Sequence, residues 1–307
     1  MDARDQRGAP GTGPVFTPPA VTPLPADAGL AARIRALRDN PISTLPEAVY
    51  AETLHTRRQA GGAVHYLAGP QACRAVLQDG ADAWRKSPLI LRMLRPILGE
   101  ALFTAHGEAW RRQRMSVQPA FMKKRIARFA PVINAAARGA VARLSAPGPV
   151  EVHAVMNDTT LQIIEQVLFS DTNRDERALV RAAFERLLEE IGRQRAFDLL
   201  PFPEWAPRPM SLGGRKARAV FRNAAQMRIN TRRAAGAGPD DLLSLLVGLR
   251  DSQTGAALSD AEIRDTLLTF VAAGHETTAL ALTWALYCLA QDRGAQARVR
   301  AEADAVF

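Results

Sequence analysis

Cysteine is nearly absent from this chain: two residues in 307, Cys73 and Cys288. That excludes a disulfide scaffold and a zinc ribbon, and fits work in a reducing cytoplasm. Lysine is also scarce. Four (Lys86, Lys123, Lys124, Lys216) stand among 40 basic residues, so the net charge of +9 is carried by arginine. No apolar run opens the chain. Residues 1–26 hold six prolines instead, which reads as a flexible leader and not as a signal peptide or membrane anchor. Histidine supplies no paired metal-ligand motif, since His275-Glu276-Thr277-Thr278-Ala279 lacks the second histidine a zinc-hydrolase helix places one turn on. No repeat and no strand–helix alternation is visible, which gives dinucleotide-binding and P-loop folds little support.

What is present is globular: 47% hydrophobic and 23% charged residues, over a length that can bury a sizeable core. The periodicity predicts a mainly α protein with minor β, a leader over 1–40 and one body from 41 to 307. Thr44-Leu45-Pro46-Glu47 reads as a capping box for a helix to Arg57. Ala63–Leu67 alternates like a strand, Pro70 opens a helix, and 85–104 reads as an apolar loop with Pro88, Pro96 and Gly99. Helices are expected at about 106–117, 122–145, 156–169, 174–195, 212–234, 240–249, 259–291 and 294–307, with Val150–Val152 as a further short strand. The last helical pattern runs through Val299, Ala303, Val306 and Phe307 with no cap after it, as a truncated chain would.

The segment 259–291 is the most informative. Ser259-Asp260-Ala261-Glu262 is a capping box, and from Thr266 to Ala290 the residues are apolar or small nearly all round. His275 and Glu276 in mid-run argue against a membrane span. The neighbours of Glu276 one turn away are Ala272, Ala273, Ala279 and Leu280, which places it off any solvated face and predicts a buried carboxylate. Gly274 weakens the helix there, and Thr277 can turn its hydroxyl to the carbonyl of Ala273. A packed helix that tolerates a Glu and two Thr through backbone bonding is the competing reading.

Ala273-Gly274-His275-Glu276-Thr277-Thr278 resembles the distal-helix signature of cytochromes P450. Gly107-Glu108-Ala109-Trp110-Arg111-Arg112-Gln113-Arg114, with Pro119 and Phe121 after it, resembles the same family's earlier motif of Trp and Arg four apart. The segments around Asp240–Leu246 and Ala301–Val306 are also similar to family segments. The resemblance spans about residues 40–307 and implies an incomplete P450 fold, a haem b cofactor, O2 and an apolar small-molecule substrate. It further implies that Trp110 and Arg114, with His106 one turn earlier, hold a haem propionate, and that Ala273 and Gly274 open a groove for O2. Thr277 and Glu276 become the groups that handle protons on the oxygen side, and Thr278 packs.

In the family a Cys in a Gly-rich loop after the distal helix binds the iron. A loose match at Tyr66–Ala75, containing Cys73, precedes that helix, so Cys73 reads as a half-buried helix residue and Cys288 as core, leaving no metal ligand in the chain. This looks like the N-terminal two-thirds of a monooxygenase. An inactive remnant that binds no haem stays open as an alternative. A basic helical nucleic-acid-binding regulator is the other rival, but no helix–turn–helix is found.

Pocket-lining roles fall to 85–104, to Phe197, Leu199, Leu200 and Phe202, and to 266–277, with mutual packing as the competing reading. The charge is local. Residues 101–145 carry nine basic side chains against the single acid Glu108. In the family that face receives an acidic ferredoxin or flavodoxin, which points to Arg111, Arg112, Lys123 and Lys124, unless the stretch is simply a solvated basic face.

Overall fold

The structure is a computed structural model, and it describes residues 16–25, 28–59, 62–80, 83–170, 174–192, 210–236, 238–250 and 255–306. It divides into two compact units, residues 17–86 and residues 87–307 with 1–16.

In the smaller unit, helix α1 (Leu30–Asp39) lies within the stretch read as leader. A 3-10 turn over Pro41–Thr44 follows, capped by the Asn40 side chain, which accepts from the Ile42 N–H at 3.2 Å. The helix expected from Thr44 to Arg57 does not form. The Thr44 hydroxyl donates back to the Pro41 carbonyl at 2.6 Å instead of capping forward, and Glu47–Tyr50 is only a 3-10 turn. Strand β1 (Leu54–Gln59) then pairs antiparallel with β2 (Gly62–Leu67), Leu54 opposite Leu67 and Gln59 opposite Gly62. The reversal is compatible with Gly62 at φ 147°, a conformation open to glycine. Helix α2 (Pro70–Arg74) starts on Pro70 as expected.

The larger unit is helical throughout its named elements. The segment read as a loop at 85–104 contains α3 (Pro88–Leu98). Pro88 occupies the first turn, where a missing N–H costs nothing, and Pro96 falls in the last turn, where it removes a single bond. Leu91, Ile97 and Leu98 are buried, so the apolar character of this stretch serves packing, while Leu89 and Ile90 are exposed. Gly99 ends the helix at φ 69° and lies so close to the Asp265 carboxylate that a side chain would collide with it.

Helix α4 (Gly107–Val117) matches expectation. The helix expected over 122–145 is cut into α5 (Lys123–Ile126) and α6 (Ala130–Leu144), because Pro131 is accommodated only in a first turn. Val150–Val152 is no strand. Glu151 caps α7 (Val152–Leu168), its carboxylate accepting from the N–H groups of His153 and Ala154. Then come α8 (Arg174–Gly192), α9 (Leu212–Ala235), α10 (Leu242–Gly248), α11 (Asp260–Gly274), α12 (Glu276–Gln291) and α13 (Arg293–Val306).

The main core gathers Phe184 and Leu187 of α8, Phe221 and Ile229 of α9, Leu243 and Leu246 of α10, and Ile263 and Leu267 of α11. A buried ion pair ties two of these helices. Arg232 of α9 meets Asp241 at 2.8 Å, and Asp241 also caps α10 through the Ser244 N–H at 2.8 Å. A smaller cluster holds α12 against α6 and α7 through Ala140, Val155, Met156 and Ala279. No helix among the described residues is long and apolar enough to cross a membrane.

Candidate functional site

The capping box of α11 is formed. The Ser259 hydroxyl accepts from the Glu262 N–H at 3.3 Å and the Glu262 carboxylate accepts from the Ser259 N–H at 2.9 Å. Burial pushes the Glu262 carboxyl up, but the Ser259 N–H and the Arg112 guanidinium outweigh it and hold it below the usual range. Fifteen residues on, the helical run is interrupted at His275 (φ −83°, ψ −70°), which separates α11 from α12. The Thr277 hydroxyl donates to the Ala273 carbonyl at 2.5 Å, the backbone bond its sequence position predicts.

Two adjacent residues at the interruption meet opposite environments. His275 is 1% exposed, its ring edge-on to Phe184 of α8 with centroids 5.6 Å apart. Neither ring nitrogen has a hydrogen-bond partner among the described residues. Burial, reinforced by the positive charge of Arg181, holds this imidazole below the usual histidine pKa. Glu276, expected to be buried, is exposed, and so are Thr277 and Thr278. The helix supports of α12 are α6, α7 and the flanking α11 and α13, and they cover only one side of it. Leu280, Trp284 and Tyr287 remain exposed for the same reason, Trp284 by 60%.

Ala273 and Gly274 form part of the wall of an apolar cavity of about 490 Å³. Across it stand Leu102 and Phe103, and Phe121 and Phe270 meet edge-on with centroids 5.4 Å apart. A methyl group at Gly274 would reach Ile164, another lining residue, at 3.4 Å, an ordinary contact. Glycine here therefore leaves room in the cavity and avoids no clash.

Trp110 and Arg114 share a face of α4, the guanidinium 5.3 Å from the indole centroid. Trp110 is half-buried and Arg114 exposed; His106 is exposed at the helix start, its carbonyl accepting from the Trp110 N–H at 3.4 Å. None of the three lines the apolar cavity. The structure thus brings Ala273 and Gly274 onto one cavity with Phe121 and Phe270, sets Thr277 beside them through its backbone bond, and leaves the Trp110–Arg114 pair as a separate stack. Phe197, Leu199, Leu200 and Phe202 lie outside the described residues.

A family model settles the fold. The description "Cytochrome P450" matches residues 53–307. The chain belongs to the cytochrome P450 family.

Among curated relatives of this P450 chain, cyclooctatin synthase of Streptomyces melanosporofaciens is 35% identical over 217 residues, covering 69% of the chain and 47% of the relative. Pentalenene oxygenase of Streptomyces avermitilis is 30% identical over 240 residues, covering 78% and 52%. The P450 chain spans about half the length of the curated relatives it matches. Of solved structures, a P450DA haem domain superposes with TM-score 0.67 at 23% identity, covering 90% of this chain and 59% of that one. Cyanobacterial CYP120A1 with bound retinoic acid gives 0.65 at 24%, covering 81% and 55%.

The two cysteines of the P450 chain are free and half-buried. Cys73 donates to the Leu67 carbonyl at 3.6 Å, and Cys288 lies on α12. No group of three or more His, Cys, Asp or Glu side chains placed to hold a metal ion occurs among the described residues.

The local charge excess is offset in three dimensions by acids outside 101–145, two of them from distant parts of the chain. Arg112 pairs with Glu262, Arg125 and Arg128 both pair with Asp240, and Arg143 pairs with Asp158 at 3.2 Å. Lys123 and Lys124 stay exposed.

Proposed function

We propose that this chain carries the oxygen-side half of a haem-dependent monooxygenase that oxidises an apolar small molecule with O2. The observation that carries the reading is the interrupted helix at Gly274–His275 opening on an apolar cavity, in a chain of the P450 family. The residues present fit haem b: Phe121 and Phe270 offer an aromatic wall, Ala273 and Gly274 leave space beside it, and the cavity carries little polar surface. Haem supplies the redox chemistry that activates O2 when bound through an axial thiolate.

The chain's own residues supply position and protons. The Trp110 indole N–H and the Arg114 guanidinium are donors suited to a propionate carboxylate, with His106 at the start of the same helix. Glu276, exposed to solvent, exchanges protons with water, and the Thr277 hydroxyl, one residue on, passes or holds a proton at Oγ1. Cys73 and Cys288 are not the axial ligand in this reading: Cys73 donates to the Leu67 carbonyl within the smaller unit, and Cys288 lies on α12 and does not line the cavity beside Gly274. The apolar lining supports an apolar substrate. The names of relatives speak of pentalenene oxygenation and of a cyclooctat-9-en-7-ol monooxygenase. Electrons come from an acidic ferredoxin or flavodoxin at Arg111, Lys123 and Lys124, with Arg112 beside them already paired to Glu262. Two unpaired cysteines are consistent with the cytoplasm.

A second reading, that the chain by itself holds no haem, draws support from the uncovered apolar side of α12. Titrating haem into the purified chain and recording the spectrum of the reduced CO adduct separates the two. Saturable one-to-one binding without a thiolate-type band is expected. Absence of binding would favour the second reading, and a thiolate-type band would show that one of the two cysteines does ligate the iron.

A further inference from the structure

Helix α9 carries Arg215, Arg218 and Arg222, three and four residues apart, so the three side chains follow one side of the helix. With Pro96 of α3, Met210 and Ala219 they line an open cleft of about 410 Å³. No residue of this cleft lines the cavity beside Gly274. Among the described residues none of the three guanidinium groups makes a hydrogen bond or an ion pair, and the buried Nε of Arg218 has no partner.

The carboxylate whose field reaches Arg218 and Arg222 is Asp265 of α11. Its Oδ2 accepts from the Glu100 N–H at 3.0 Å, and it forms no ion pair with either arginine among the described residues. Burial, and then the neighbouring charge of Arg222, lower the pKa of Arg218. The first turn of α9 contains no acid of its own; the buried Glu190 carboxylate of α8 accepts from the N–H of the N-cap Ser211 at 3.2 Å, which leaves the cations further along the helix to repel one another. The desolvation of Arg218 and its repulsion by Arg222 both oppose the fold, and an anion in the cleft would offset them. Guanidinium groups are forks suited to two-point recognition of phosphate and carboxylate. Pro96, Met210 and Ala219 add an apolar side to the same cleft.

We propose that this cleft binds an amphiphilic oxyanion, a small molecule whose phosphate or carboxylate head is held by Arg218 and Arg222 and whose apolar body lies against Pro96 and Met210. Arg215, the exposed member, contributes a third positive charge. The proposal does not depend on haem binding.

The test uses the full chain in low-salt buffer, titrated calorimetrically with inorganic phosphate, octyl phosphate and octanoate. One-to-one binding is expected for at least one amphiphile, ten-fold or more tighter than for inorganic phosphate, and the preferred head identifies the ligand class. In Arg218→Gln/Arg222→Gln the affinity falls at least ten-fold, while the melting temperature without ligand is unchanged or higher because like charges have been removed. Equal affinity in the double variant would overturn the proposal, as would a double variant that loses stability with no anion present. Binding confined to phosphatidylglycerol vesicles, with none to the soluble amphiphiles, would overturn it in favour of a membrane-facing patch.

Discussion

A neutral imidazole sealed between helices is a group that only acid can disturb. His275 is packed on Phe184, with Arg181 and Glu185 of α8 and His153 and Asp158 of α7 acting on it electrostatically. Its pKa lies below the ordinary histidine value of about 6.5. Between the two values the unfolded chain binds a proton that the folded chain refuses, so stability falls as pH drops through the ordinary value and is unaffected above it. His275→Leu removes that dependence. It also removes two unpartnered buried nitrogens, each of a kind that costs about 1–3 kcal/mol. Thermal unfolding should show the variant no less stable at pH 7.5 and distinctly more stable at pH 5. A parallel loss of stability in both proteins on acidification would show that His275 is not the acid-sensitive group.

The same pair of residues marks what one sequence can and cannot disclose. His275 and Glu276 each have apolar neighbours one turn away, so the pattern assigns burial equally to both. Which one is buried depends on where α8 lies against the helix, and that is a tertiary fact. The backbone bond from Thr277 to Ala273 is local, and it was legible.

At the scale of elements, the signals that held had local chemistry, the Ser259–Glu262 capping box, Pro70 at a helix start and the uninterrupted periodicities of α4, α9 and α10, although the similar Thr44–Glu47 box did not form. Those that failed were decided by a strand partner or by where in an element a residue falls. Residues 54–57 continue a helical reading until β2 offers a pairing edge, and the prolines of α3 read as breakers although both sit in terminal turns. The distal-helix motif contains Ala273 and Gly274, and the earlier motif ends on Phe121; all three line the cavity. The Phe121–Phe270 contact, which brings Phe121 against α11, joins residues far apart in the chain, and periodicity carries no sign of it.

Gly274 gives a test that separates fold from site. Alanine there gains helix propensity of up to about 1 kcal/mol, and its methyl meets Ile164 at an ordinary contact distance. Gly274→Ala should therefore melt at the same temperature or slightly higher, while haem titration into the chain becomes weaker because the cavity wall is filled. Lost stability would mean that Gly274 serves the backbone, and unchanged haem affinity would mean that the cofactor does not approach it.

Across the whole molecule, the chemistry of the surface differs from what the chain order suggests. Nine basic residues against one acid within 101–145 form a strong cluster on paper, yet Glu262, Asp240 and Asp158 arrive from outside that stretch to pair with four of the arginines. Lys123 and Lys124 on α5 are exposed and joined to no acid by an ion pair among the described residues, which makes them the sharper probes of an acidic electron donor. An exposed ion pair is worth up to about 1 kcal/mol, so reversing both charges should weaken binding of an acidic ferredoxin roughly ten-fold or more. The loss should be greatest at low ionic strength and fade as salt screens the surface. Arg112→Glu predicts a different signature. It breaks the pair with Glu262 at the start of α11, so its first effect should be on the melting temperature of the chain, at any salt concentration at which the lysine variant is still folded like the parent. Titration of Lys123→Glu/Lys124→Glu with the donor at two ionic strengths, beside unfolding curves of both variants, checks the assignment. Donor affinity unchanged by the lysine reversals would move the docking face elsewhere on the molecule.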